Sequence, residues 1–86
     1  MARYFDAHCH LQHPSLMSNI VPILAESRSY GVESFMCCGT SEDDWEQVAY
    51  LATNIKGVLP SFGLHPRLVD FRHEIWSEKL VDYLVR

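Results

Sequence analysis

The strongest constraint on this chain is an alternation. Short apolar runs, each followed by a stretch of helical spacing, recur three times within 86 residues. Residues 3–10 have the parity of a strand, with Tyr4, Asp6, His8 and His10 on one side and Phe5, Ala7 and Cys9 on the other. A loop through His13, Pro14 and Ser15 leads into a predicted helix over 20–30, whose Ile20, Ile23, Leu24 and Tyr30 fall near helical spacing. Ser18 or Asn19 can cap it, Pro22 falls in its first turn where a missing N–H costs little, and Gly31 supplies a left-handed stop. A second strand is predicted over 32–38, apolar from Phe35 onward, as in a strand covered on both faces. Gly39-Thr40-Ser41 then turns the chain into a second helix. Glu42, Asp43 and Asp44 are assigned to its first turn, where the helix N-terminus favours acidic groups. That helix runs through Trp45, Val48, Ala49, Leu51 and Ala52 and stops before Gly57. A third strand over 58–64 is weakened by Pro60 and Gly63. His65-Pro66 opens a loop, and a third helix over 77–86 carries Leu80, Val81, Leu84 and Val85.

The resulting βαβαβα order belongs to the α/β class, with parallel strands and right-handed crossovers. Three units fall far short of the roughly 250 residues of an eight-unit barrel. The helical pattern is still running at Arg86, with no Gly, Asn or Pro to stop it. Residues 1–86 are therefore expected to form a single partial domain, the N-terminal portion of an incomplete TIM-type (β/α)8 barrel. Its exposed sheet edges would then seek a partner, either a second copy in a homo-oligomer or the missing C-terminal portion.

Composition narrows the functional classes. Apolar residues make up 48% and charged residues 21%, which disfavours disorder. A formal charge of -4 argues against a broad phosphate-gripping face, though a local metal-centred phosphate site remains compatible with it. No apolar run approaches the roughly 20 residues that span a bilayer, so no membrane partner is expected. The opening residues lack the apolar stretch of a signal peptide. Three cysteines, two of them adjacent at Cys37-Cys38, make a poor disulfide framework, and the expected location is the cytoplasm.

The sharpest chemical signal is His8-Cys9-His10. Residues two apart in a strand point the same way, so both imidazoles can reach one cation. Asp6, on the same parity, could ligate or accept an imidazole N–H. Strand C-terminal ends line the active face of a parallel α/β barrel, and imidazole suits Zn, Mn, Fe or Ni better than Ca. Two ligands do not make a site, however, and a pair of ordinary loop histidines is the alternative. His13 could add a third imidazole but reads more simply as a solvated loop residue. His73, between Arg72 and Glu74, reads as a surface residue. Cys9 reads as a small buried thiol, and Cys37 and Cys38 as unreactive thiols in an apolar run. A Cys38–His65 nucleophile pair lacks an orienting third group. Trp45, Trp76 and Tyr50 fit helix faces packed on a sheet, and Glu42-Asp43-Asp44 a capped, solvated helix start rather than a cation site.

Tyr4-Phe5-Asp6-Ala7-His8-Cys9-His10-Leu11 together with Ser61-Phe62-Gly63-Leu64-His65-Pro66 resembles the TatD-related metal-dependent deoxyribonucleases of the amidohydrolase superfamily. Gly31-Val32 before a strand and Gly39-Thr40-Ser41 after it fit the same order. The resemblance covers essentially the whole chain and implies a barrel hydrolase acting on DNA or nucleotide phosphodiesters. It implies one or two divalent metals (Mg, Mn or Zn) held by His8 and His10, with His65 near the substrate phosphate or the metal-bound water. The bridging Glu, two later histidines and the late Asp of that family would lie beyond Arg86. Glu74 and Glu78 match none of these positions, so the catalytic carboxylates have no counterpart in this sequence and the isolated segment is expected to be inactive. Competing expectations are another His-x-His hydrolase acting on amides or esters, and a non-catalytic barrel remnant that self-associates. A polymerase-and-histidinol-phosphatase-type phosphoesterase fits less well, because Pro14 stands where that pattern wants Ser.

Overall fold

In the computed structural model, which describes residues 2–85, the chain is a three-stranded parallel sheet with helices packed against it. The order along the chain is β1 (Tyr4–Cys9), a short α1 (Pro14–Met17), α2 (Ile20–Ser29), β2 (Val32–Cys38), α3 (Trp45–Asn54), β3 (Val58–Ser61), a 3-10 helix (Pro66–Phe71) and α4 (Trp76–Leu84). Sheet order is β1-β2-β3, so β2 is central and both outer strands are edges. The sequence expectation of parallel strands joined by helical crossovers describes this arrangement.

Helix α2 is stopped as expected. Gly31 takes φ 95°, and a Cβ there would stand 2.7 Å from the Ala2 carbonyl oxygen, so both conformation and space require glycine. Strand β2 alternates along its length: Phe35 and Cys37 are buried, while Met36 and Cys38 are only partly covered. The buried set meets Val48 and Leu51 of α3, Leu24 of α2, Leu11 and Val58, and together these form the core. Trp45 is fully buried at the start of α3.

Several boundaries differ from the sequence reading, each for a local reason. Glu42, Asp43 and Asp44 lie in a turn before α3, with Asp44 at its N-cap, because the Asp44 carboxylate folds back onto the Gly39-Thr40-Ser41 turn. Strand β3 ends at Ser61 rather than at residue 64, although the β2–β3 contact persists beyond it through Gly39 N–H to the Ser61 carbonyl at 2.7 Å. The loops at His13 and His65 each contain a helical turn, started by a His-Pro pair. Helix α4 begins at Trp76, one residue early, and Arg86 lies outside the described residues.

Candidate functional site at the strand C-terminal ends

Strand β1 carries an irregularity where the chemistry lies. Asp6 pairs with Phe35 and Cys9 with Cys37, so three steps on β1 match two on β2. The Asp6 carboxylate accepts the His8 backbone N–H at 3.1 Å, which supports the distortion. Among the described residues no imidazole N–H donates to Asp6, whose Oδ1 is engaged by the backbone instead.

The two imidazoles nevertheless converge. His8 Nε2 and His10 Nε2 are 3.2 Å apart, with the rings edge to face at 86°. Two nitrogens bound at about 2.0–2.1 Å to one cation must be about this far apart. His10 is further fixed on its other side. Its Nδ1 lies 2.7 Å from the Cys38 carbonyl oxygen, which can only accept, so Nδ1 carries the proton and Nε2 presents its lone pair. The donor set ends there. Among the described residues no group of three or more His, Cys, Asp or Glu side chains converges.

Behind His10, Gln12 ties the ends of both strands together. It is buried, its amide N–H groups donate to the Cys38 carbonyl at 2.9 Å and to Asp44 Oδ2 at 2.9 Å, and its Oε1 accepts the Cys37 thiol at 3.1 Å. Asp44 also accepts from Thr40 N–H and from the Thr40 hydroxyl at 2.6 Å. Gln12 was not among the sequence candidates. Its signal was a polar side chain two residues past His10, in a stretch leading to an apolar helix.

His65 is brought to the same end of the sheet by its own backbone. Its N–H donates to the Thr40 carbonyl at 2.6 Å, extending the β2–β3 ladder past the strands. A cleft of about 650 Å³ opens there, with His10, Gln12, His13, Thr40, Asp44, His65 and Arg67 in its walls. His8 is not part of that lining and faces His10 from the side. His13, read from sequence as a solvated loop residue, is exposed but belongs to the cleft.

The remaining candidates separate from the site. The Cys38 thiol donates to the Met36 carbonyl and His65 Nδ1 accepts from Arg67 N–H, so the Cys38–His65 pair is not formed. Trp45 packs edge-on against Phe62 and Tyr83 and donates Nε1–H to the Gly63 carbonyl at 2.9 Å, a core role as expected. Tyr50, by contrast, is exposed on α3. The acidic turn is less solvated than expected: Glu42 is buried, its Oε2 accepts the His73 N–H at 2.6 Å, and Asp43 pairs with the His73 ring at 3.0 Å.

Burial, reinforced by the nearby Asp6 charge, pushes the Cys9 thiol up to about 12, and burial chiefly pushes Cys37 up as well. Both thiols hold their protons more tightly folded than unfolded, where the ordinary value is 9.0. Their contribution to stability is thus fully present below about pH 9 and is lost as pH rises above it, for Cys9 toward about 12. The urea midpoint is expected to be lower at about pH 10.5 than at about pH 8. An unchanged or higher midpoint would contradict this account of the thiols.

Comparison with known proteins adds a family context. The family model "TatD related DNase" matches residues 5–86. No individually curated protein sequence matches the chain. The crystal structure of YJJV, a TatD homologue from Escherichia coli K12, superposes with a TM-score of 0.92 at 26% identity. That match covers 99% of this chain and 33% of the other, so the chain spans one third of that protein's length. The three parallel strands and their helices correspond to a fragment of its TIM-type barrel.

Proposed function

Because the chain belongs to the TatD-related DNase family, we propose that its strand-end cleft is part of a metal-dependent site for phosphodiester hydrolysis on DNA or nucleotides. The observation that carries this reading is the 3.2 Å approach of His8 and His10 through Nε2, with His10 held from behind by the Cys38 carbonyl. A divalent cation (Mg, Mn or Zn) at that pair would polarise a phosphate and lower the pKa of a bound water. The chain's own groups do the rest. His10 offers a lone pair because its other nitrogen donates to Cys38, and Gln12 keeps that carbonyl in place. His65 orients a phosphate oxygen, since Nδ1 is engaged by Arg67 N–H and Nε2 then carries the ring proton into the cleft region.

Two imidazoles without a carboxylate leave a cation undercharged, so the isolated chain is proposed to bind metal weakly and to turn over little or no substrate. Hydrolysis of a phosphodiester with added Mg²⁺, Mn²⁺ or Zn²⁺ tests the assignment. Any slow turnover is expected to disappear with chelator and in both His8→Ala and His10→Ala, and turnover surviving both substitutions, or a parent chain with no saturable Mn²⁺ or Zn²⁺ binding, rejects it.

A second reading, a non-catalytic remnant that self-associates, draws on a different observation. Both outer strands are edges, with Tyr4, Phe5 and Leu59 exposed, and α4 exposes Val81 and Leu84. Size-exclusion chromatography with light scattering is expected to show dimers or larger species. A monomer at high concentration would remove this reading.

A further inference from the structure

The two open edges of the sheet differ in what they offer a further strand. Beside β3, Phe35 N–H donates to the Gly57 carbonyl at 2.8 Å and Gly39 N–H to the Ser61 carbonyl at 2.7 Å. Gly57, Leu59 and Ser61 therefore direct their backbone groups at β2, and Val58 and Pro60 direct theirs outward. Neither has an N–H to give, because that of Val58 is engaged by the Ile55 carbonyl at 3.3 Å and proline has none. Along Val58–Ser61 the β3 edge thus accepts but does not donate, which keeps an edge strand from adding neighbours. The β1 edge has the opposite character. Tyr4 N–H donates to the Gly31 carbonyl at 2.8 Å, and Asp6 pairs with Phe35, whose own N–H is engaged by β3. Tyr4 and Asp6 therefore face β2, and by alternation Arg3, Phe5 and Ala7 present both N–H and carbonyl outward. Beyond Ala7 the edge is closed, where the His8 N–H turns onto the Asp6 carboxylate at 3.1 Å.

Unlike β2, β1 is also bare on both faces of the sheet, with Tyr4 57% and Phe5 49% exposed. Strands of a parallel sheet are normally covered on both faces, so β1 is the part of this sheet that most lacks a partner. We propose that a second copy of this chain supplies it, through antiparallel β1–β1 pairing about a two-fold axis at Phe5. A two-fold contact makes β1 its own partner, with donors and acceptors on both sides. Head-to-tail addition of β3 to β1 would instead set the outward carbonyls of β1 against a stretch without donors. Charge selects the register. With Phe5 opposite its own counterpart, Arg3 stands opposite Ala7 and Tyr4 opposite Asp6, and the outward N–H groups of Arg3, Phe5 and Ala7 all meet carbonyls. The pair on the axis is then aromatic, a favourable cross-strand combination. Sliding one strand by two residues either sets Asp6 against Asp6, like charges directly opposed, or shortens the overlap to Arg3 against Phe5. This deepens the self-association reading and rests on it for the existence of a complex.

Sedimentation velocity on the 86-residue chain is expected to show a concentration-dependent dimer and no longer series. Phe5→Lys places two ammonium groups at the axis and should weaken dimerisation at least about tenfold. Phe5→Glu should do the same alone. An equimolar mixture of the two variants should recover the dimer, since opposite charges then face one another. Leu59→Lys, on β3, should leave the dimer unchanged. A dimer that survives in Phe5→Lys, or one lost in a folded Leu59→Lys, would overturn the β1 contact while leaving self-association standing. A ladder of larger species would assign the contact to head-to-tail pairing and overturn the proposal in the same way. A parent chain that stays monomeric at high concentration would overturn both, and would leave the β1 edge to a different polypeptide. Should the Phe5 variants fail to fold, amide hydrogen exchange on the parent decides. The Phe5 and Ala7 amides are expected to slow as concentration rises, and rates independent of concentration would overturn the proposal.

Discussion

His10→Ala is expected to reduce the weak divalent-cation affinity by about a hundredfold, and His8→Ala by about tenfold or more, as measured by calorimetric titration with Mn²⁺ or Zn²⁺. The expectation follows from how little else is available. Among the described residues only these two imidazoles offer nitrogens 3.2 Å apart, so each substitution removes half of the donor set. His10 should be the more sensitive of the two, because its ring is held from behind by the Cys38 carbonyl at 2.7 Å and is already in the ligating tautomer. For the His8 Nδ1, no hydrogen-bond partner anchors the ring in this way among the described residues, so it must order on binding. His65→Ala serves as the contrast, since its Nδ1 is occupied by the Arg67 N–H, and cation affinity should be unchanged within about twofold. Undiminished cation binding by His10→Ala would remove the metal assignment from this pair.

Trp45→Ala is expected to cost about 3–5 kcal/mol of stability, read as a fall in the urea midpoint at constant slope. A chain of 86 residues has roughly 4–13 kcal/mol in total, so this one substitution consumes a large share. Trp45 is fully buried, stacks edge-on with Phe62 and Tyr83 at 6.4 and 5.7 Å, and stands so close to Gly39 that a Cβ there would meet its Cδ1 at 2.6 Å. Its indole N–H on the Gly63 carbonyl also fixes the segment two residues before His65. Trp45→Phe should recover most of the packing but leave that carbonyl without its partner, at about 1–3 kcal/mol. A loss below about 1 kcal/mol for the alanine variant would show that the ring does not hold α3 to the sheet.

The elements came through in the sequence because their signals are local. Helix α2 and its stop at Gly31 needed only apolar spacing and one left-handed residue, and β2 matched its expected span of 32–38. The short turns at Pro14 and Pro66 were hidden, since a four-residue or 3-10 segment leaves no periodicity to read. The acidic run was misplaced for a related reason. An acidic residue in the first turn and one folded back onto the preceding loop look alike in sequence, and the choice depended on Thr40 and Gln12 as partners.

Within the site, sequence by itself determined which donor types stand at the strand end: a His-x-His pair at His8 and His10, and a Gly-x-His-Pro segment that brings His65. Parity in an extended chain is a property of the backbone, so that pair could be paired on paper. Only the tertiary structure decided which nitrogen of the His10 and His65 rings is free, that Asp6 accepts the His8 backbone N–H, and that Gln12 and His13 belong to the cleft. The physical reason is that a hydrogen-bond partner from a distant strand, such as the Cys38 carbonyl for His10, selects the tautomer, and no spacing along the chain encodes which carbonyl will be there.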